Sequence, residues 1–177
     1  MVNAIFAIDK NNGMGFSGSL PWPKDKEDLN WFKTHTLNQI VIMGSKTWHD
    51  PFMPSPLPNR VNVVISSKDK NEFKGANVVI HTDDLISGIK DLVEMNTDTG
   101  IWIIGGPTIL HASKQLITNI YLTEFHDVFN CDVFLDSAFL ADFEIKNEIP
   151  SNNKTFKILQ KIKGNHEKLF RFNERYT

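Results

Sequence analysis

The chain has 177 residues, 41% of them hydrophobic and 23% charged, which suits one globular domain over residues 1–177, burying roughly 70% of its unfolded surface. With 19 Lys+Arg against 21 Asp+Glu the formal net charge is −2, so no broad field draws it to nucleic acid or an anionic membrane. One cysteine, Cys131, excludes a disulfide framework and a cysteine-rich zinc site and fits a reducing, cytoplasmic setting. No apolar run reaches the roughly 18 residues of a membrane span, and no HxH or HxxxH pair marks a metal site.

The first apolar run, Val2 to Ile8, predicts a buried strand. It is followed by Gly13-Met14-Gly15-Phe16-Ser17-Gly18, which matches the GxGxxG dinucleotide fingerprint. That motif needs a helix around its third glycine, whereas Gly18 precedes Ser19-Leu20-Pro21-Trp22-Pro23, and two prolines in three residues cannot continue one. A long Gly- and Pro-rich surface loop over 13–23 is the better reading. Residues 26–36 form a helix pattern with Leu29 and Phe32 at i, i+3. Asp28, with Leu29, Trp31 and Phe32 as neighbours, admits two readings there: a first-turn acid favoured by the helix dipole, or a partly desolvated carboxylate able to hold a proton near neutral pH. Asp25 and Glu27 read as plain first-turn acids.

Ile40 to Met43, Val61 to Ile65, Val78 to Ile80 and Ile101 to Ile104 are further near-continuous apolar runs, as strands covered on both faces require. A second proline-rich loop covers 51–59. Residues 83–95 place Leu85, Ile89, Leu92 and Val93 on one helical stripe, with Thr82 as the expected N-cap. Three junctions after these strands offer groups to an anion: Gly44-Ser45-Lys46-Thr47, Ser66-Ser67-Lys68, and Gly105-Gly106-Pro107-Thr108 with proline suited to the first helical position. Together they point to a phosphate-bearing ligand across the carboxyl edge of a parallel sheet. The last third reads as strands at 120–125, 143–149, 156–162 and 168–172, the final two joined across Gly164-Asn165. The fold expected is therefore α/β: a mixed, mostly parallel central sheet of about eight strands, a C-terminal antiparallel hairpin and about four flanking helices.

In sequence order, Leu20-Pro21-Trp22, Asp28-Leu29-Asn30-Trp31-Phe32-Lys33, Val41-Ile42-Met43-Gly44 with Thr47-Trp48, Pro56-Leu57-Pro58-Asn59-Arg60, Ile65-Ser66-Ser67, Ile103-Ile104-Gly105-Gly106 and Tyr121-Leu122-Thr123 resemble the dihydrofolate reductase family over essentially the whole chain. The resemblance implies an oxidoreductase that reduces dihydrofolate to tetrahydrofolate by hydride transfer from NADPH, supporting one-carbon metabolism and thymidylate synthesis, as a cytoplasmic monomer. It implies that Asp28 binds the 2-amino and N3 side of the pterin and promotes protonation at N5, with Thr123 hydrogen-bonded to it and Trp22 beside it. Ile5, Ala7, Leu29, Phe32, Leu57 and Ile104 match substrate-lining positions, and Arg60 the grip on the glutamate α-carboxylate. For the cofactor, Ala7, Met14, Gly15, Leu20, Gly44, Ser45, Lys46, Thr47, Ser66, Ser67, Gly105, Gly106 and Thr108 match lining positions, and Gly13 to Leu20 resembles a mobile closing loop. Where the family commonly has arginine after Gly44, this chain has Ser45, with Lys46 next to it. Asp28 with Arg60 argues against a riboflavin-pathway reductase of similar fold, and the retained Asp28 and Gly-Gly turn argue against a non-catalytic binding module.

Overall fold

The apolar runs become the inner strands of a sheet packed on both faces. In the computed structural model, which describes residues 1–163, the chain runs β1 (Val2–Ile8), β2 (Gly13–Gly15), α1 (Lys26–Thr36), β3 (Ile40–Gly44), α2 (Ser45–Trp48), β4 (Val61–Ile65) and β5 (Val78–Ile80). It continues through α3 (Leu85–Met95), β6 (Ile101–Gly105), α4 (Pro107–Ser113), β7 (Ile117–Phe125), β8 (Val133–Phe134), β9 (Phe143–Pro150) and β10 (Lys154–Lys161). The main sheet has eight strands in the order β5-β4-β3-β6-β1-β7-β10-β9, and β2 pairs with β8 in a separate ribbon. From β5 to β7 every pairing is parallel, and β10 is antiparallel to both of its neighbours. This is the α/β architecture expected from the sequence.

The alternation of side chains along each strand divides the apolar residues between two layers. Ala4, Phe6, Ile8, Ile42, Val63, Ile103 and Leu122 face α3 and α4, whose Leu85, Ile89, Ile109 and Leu110 complete that core. Ile5, Val41, Met43, Val64 and Trp102 face the other way, toward Trp48, Leu57, Phe73 and the half-buried Trp31 and Phe32 of α1. Helix α1 thus lies across the half of the sheet that contains β1, β6, β7 and β10, and this placement creates the site.

One local expectation needs correction. Thr82 does not cap α3: residues 82–84 form a 3-10 turn whose Asp83 N–H donates to His81 Nδ1, and the α-helix starts at Leu85. The antiparallel hairpin among the described residues joins β9 and β10 across residues 151–153, and β10 is paired along both edges, to β7 and to β9; the turn expected at Gly164-Asn165 and the strand expected over 168–172 are not among those residues. The Gly-rich segment after β1 is a short strand and turn with Gly18 at φ +82°, so the helix that a dinucleotide fingerprint demands is absent there.

Candidate active site

Asp25 is the N-cap of α1, and its carboxylate accepts the Asp28 N–H at 2.9 Å. That cap sets the helix phase, which turns Asp28, Trp31, Phe32 and His35 toward the sheet. Trp31 stacks on Phe156 at 4.7 Å, and His35 and Trp102 both lie against Tyr121, at 4.7 and 4.8 Å. The Thr123 hydroxyl, on a side chain only 1% exposed, lies near the Asp28 carboxylate and favours its charged form. Parallel pairing sets Ala7 opposite Thr123 and Ile5 opposite Tyr121, so Ile5, Ala7 and the half-buried Ile104 form the floor beneath this end of α1. Trp22 is buried, stacked on Phe125 at 4.5 Å, and its indole N–H has no acceptor among the described residues. Leu29, beside Asp28 on α1, is 41% exposed.

Burial pushes the Asp28 carboxyl above its ordinary range, and the neighbouring Asp25 charge adds to this, against the Thr123 hydroxyl and the cation of Lys154. Of the two readings open at the level of spacing, the desolvated carboxylate is the one the structure supports. Burial likewise lowers His35, which favours its neutral form.

Two turns further along α1 the site gains a cation. Arg60 donates to Pro58 O at 2.8 Å and to Thr36 Oγ1 at 3.2 and 3.3 Å, and its guanidinium lies 5.8 Å from the centre of the Phe32 ring. Its hydrogen bonds go to neutral oxygens, so its charge remains available to an anion. Asp28 and Thr36 are eight residues apart on one helix, about 12 Å along its axis, with Phe32 midway. Leu57 is buried beside this stretch and held by Asn62: the Leu57 N–H donates to Asn62 Oδ1 at 2.9 Å, and Asn62 Nδ2 donates to Leu57 O at 2.9 Å and to Arg60 O at 3.2 Å.

The three anion-accepting junctions lie side by side, since β4, β3 and β6 are parallel neighbours that end on one edge. Gly44 must lack a side chain, for a Cβ there would fall 2.9 Å from Ile109 Cγ1. Gly105 adopts φ +122°, and a Cβ at Gly105 or Gly106 would meet nothing within 4 Å, which leaves bare backbone with open space above it. The Gly105-Gly106 peptide is cis. Ser66 is buried and its hydroxyl accepts the Lys68 N–H at 3.0 Å. Ser45 and Thr47 are half-buried at the start of α2, whereas Lys46, Ser67 and Thr108 are exposed.

A glycine loop follows β1. Gly13 and Gly15 pair with Phe134 and Val133, Met14 packs against the core, and the Ser17 N–H donates to Asp132 Oδ2 at 3.0 Å. Asp9, almost fully buried, accepts the N–H groups of Asn11, Gly13 and Phe129 at 2.8 to 2.9 Å. Leu20, at the far end of the loop, is half exposed. Cys131 touches Asp9, and burial together with that charge pushes its thiol up to about 11, which keeps it an unreactive thiol. An open concavity of about 610 Å³ lined by His111, Lys114, Asp142 and Lys161 lies at α4 and β10 and includes none of these site residues.

Sequence reasoning missed Asp9, Asn62 and Lys154. An asparagine inside the apolar run VNVVI is a legible signal, because a buried amide must have partners. Asp9 had a weaker one, an aspartate closing a strand before Asn-Asn-Gly. Lys154 had none, since a lysine in an Asn-rich turn reads as solvated.

A family model described as dihydrofolate reductase matches residues 1–162. Dihydrofolate reductase of Gallus gallus is 30% identical over 160 residues, covering 84% of this chain and 85% of that one. Dihydrofolate reductase type 9 of Escherichia coli is 30% identical over 164 residues, covering 90% of each. A solved dihydrofolate reductase from Enterococcus faecalis, complexed with NADP(H) and RAB-propyl, superposes with a TM-score of 0.78 at 22% identity, over 92% of this chain and 97% of that one. Its likeness bears on the fold.

Proposed function

The chain belongs to the dihydrofolate reductase family, and from that premise we propose how its residues divide the reduction of 7,8-dihydrofolate to 5,6,7,8-tetrahydrofolate. The activity is that of an NADPH-dependent oxidoreductase. The observation that carries the residue assignment is the layout along α1: a desolvated carboxylate at Asp28, an aromatic at Phe32 and, held against Thr36 about 12 Å along the axis from Asp28, the guanidinium of Arg60. A folate has the complementary layout, with a hydrogen-bonding pterin edge, an apolar benzoyl middle and an anionic glutamate tail.

In this assignment Asp28 accepts from the 2-amino group and N3 of the pterin. An unpaired amine in so apolar a slot would cost about 1–3 kcal/mol. Its raised proton affinity lets it favour the protonated state at N5 near neutral pH. Thr123 fixes the carboxylate's direction, and Trp22 presents its indole N–H beside it. Ile5, Ala7, Leu29, Phe32, Leu57 and Ile104 wall the ring and the benzoyl group, and Arg60 takes the α-carboxylate with a two-pronged donor.

NADPH, when bound, supplies the hydride that arrives at the neighbouring carbon of the same double bond. The residues present fit it. Open space over Gly105 and Gly106 accepts a close ligand, Gly44 and Thr47 continue that edge, and Ser66, Ser67 and Lys46 offer hydroxyls and a cation to the 2′-phosphate. The 13–20 loop, with Met14, Gly15 and Leu20, excludes water over the rings. All these groups come from one chain, which supports a monomer acting as one domain. The solitary thiol supports a cytoplasmic setting, and no helix among the described residues is long and apolar enough to cross a membrane. The direct test is oxidation of NADPH followed at its absorbance band, with and without dihydrofolate: dependence on dihydrofolate is expected, and its absence would remove the assignment.

A further inference from the structure

The ammonium of Lys154 belongs to a side chain only 1% exposed, yet lies on β10 facing the start of α1. It meets Asp25 Oδ2 at 3.1 Å and Glu27 Oε1 at 3.2 Å, and donates to Asn153 Oδ1 at 2.7 Å. Phe125 and Phe156 flank it, at 5.9 and 6.0 Å. Asp25 is bound from both sides: one carboxylate oxygen takes this ammonium and the other takes the Asp28 N–H at 2.9 Å. The Ser151 hydroxyl adds a second strut by donating to Glu27 Oε2 at 2.7 Å. A buried cation is retained where its partners hold it in one geometry, since removing one partner strands the other charge.

We propose that Lys154 is a positioning residue for Asp28, holding the Asp25 cap so that the first turn of α1 presents the Asp28 carboxylate to the pterin, and supplying a positive charge close behind it. This rests on the reading of Asp28 as the pterin-binding group. The charged and titratable neighbours on the face concerned are Asp25, Glu27 and His35 of α1, Tyr121 of β7 and Lys154 of β10. Glu124 and Lys157 pair with each other at 3.1 Å on the opposite side of the sheet. Asp25 and Lys154 act on Asp28 with opposite signs, the first favouring its proton and the second opposing it.

That opposition gives the test. In protein carrying ¹³C-carboxylate aspartate, with the Asp28 resonance assigned by its loss in Asp28→Asn, the Asp28 titration is expected at higher pH in Lys154→Met and at lower pH in Asp25→Asn. The Asn variant keeps a helix-capping side chain, so it remains informative if Lys154→Met does not fold. Lys154→Arg is expected to return the titration toward the parent's. In turnover of dihydrofolate the fall of kcat at high pH is expected to move in the same two directions, with KM for NADPH unchanged. Titrations that stay put in both variants, or move the same way in both, would overturn the proposal. A parent protein that leaves dihydrofolate unreduced would overturn the functional reading instead, and the carboxylate titration would still decide whether Lys154 governs Asp28.

Discussion

Replacing Arg60 with leucine separates the two ends of the proposed substrate. The guanidinium makes three hydrogen bonds within the protein, one to Pro58 O and two to Thr36 Oγ1. Their loss is mild, because the fully buried Thr36 hydroxyl still donates to Phe32 O at 2.7 Å and the Pro58 carbonyl faces water. The fold is therefore expected to lose only about 1 kcal/mol. Binding is a different matter, since a carboxylate brought against the Phe32 face with no cation opposite is a stranded partner of a desolvated pair, worth about 2–4 kcal/mol. That corresponds to a roughly 30- to 1000-fold weaker dissociation constant. Quenching of tryptophan fluorescence, with Trp31 one residue from Phe32, measures it directly. Dihydrofolate should weaken by that factor, while a pterin without the glutamate tail and NADPH should bind as to the parent. Equal weakening of both pterins, or of neither, would show that Arg60 does not hold the α-carboxylate.

Asp28→Asn is expected to lose most turnover at neutral pH, with a residual rate that rises as pH falls and solvent supplies the proton. The same variant should be more stable than the parent by about 0.5–2 kcal/mol at pH 8. A carboxyl whose folded pKa is raised penalises the fold increasingly as pH rises through that value, so melting temperatures of the two proteins should converge at low pH; a gap independent of pH would contradict the desolvation argument. Asn62→Leu strands the buried Leu57 N–H and C=O and should cost about 3 kcal/mol in urea denaturation. It should also weaken folate more than NADPH, and an equal effect on the two would separate the 57–60 segment from the substrate. NADPH should be preferred to NADH, and the ratio of their kcat/KM values should shrink as salt is raised, because Lys46 and Ser67 are exposed. Equal values at low salt would show that Ser45 in place of arginine is left uncompensated by Lys46.

Residues whose surroundings come from their own stretch of chain were legible. The near-continuous apolar runs located β1, β3, β4, β5 and β6, because a strand covered on both faces has no polar side to show. Pro107 and the glycines before it marked the β6–α4 junction for the same local reason. The pairing of the last strands was not local: β10 takes partners on both edges, one of them the distant β7. Asp25 and Glu27 show the limit most clearly. Their positions in the first turn explain them as acids near a helix dipole, and nothing nearby announces that a lysine from the far end of the chain is buried against them. Thr123 under Asp28 could be assigned only through the family resemblance, since parallel pairing between β1 and β7 brings it there.

The place of β10 has a consequence for the order in which the two halves of the site come into being. β10 is the last strand among the described residues, yet it sits inside the sheet, and Lys154 reaches back 127 positions to Glu27. The edge formed by β4, β3 and β6 is complete once residue 105 has been made, well before the support for Asp28 exists. During synthesis, then, the phosphate-accepting half can assemble early, while the pterin-binding half waits for the end of the chain and for its slow, long-range pairing. Until then β7 is an open edge able to recruit a foreign strand. Truncation before residue 154 should accordingly yield a sticky chain with half an active site, and damage late in the sequence should show itself first as aggregation.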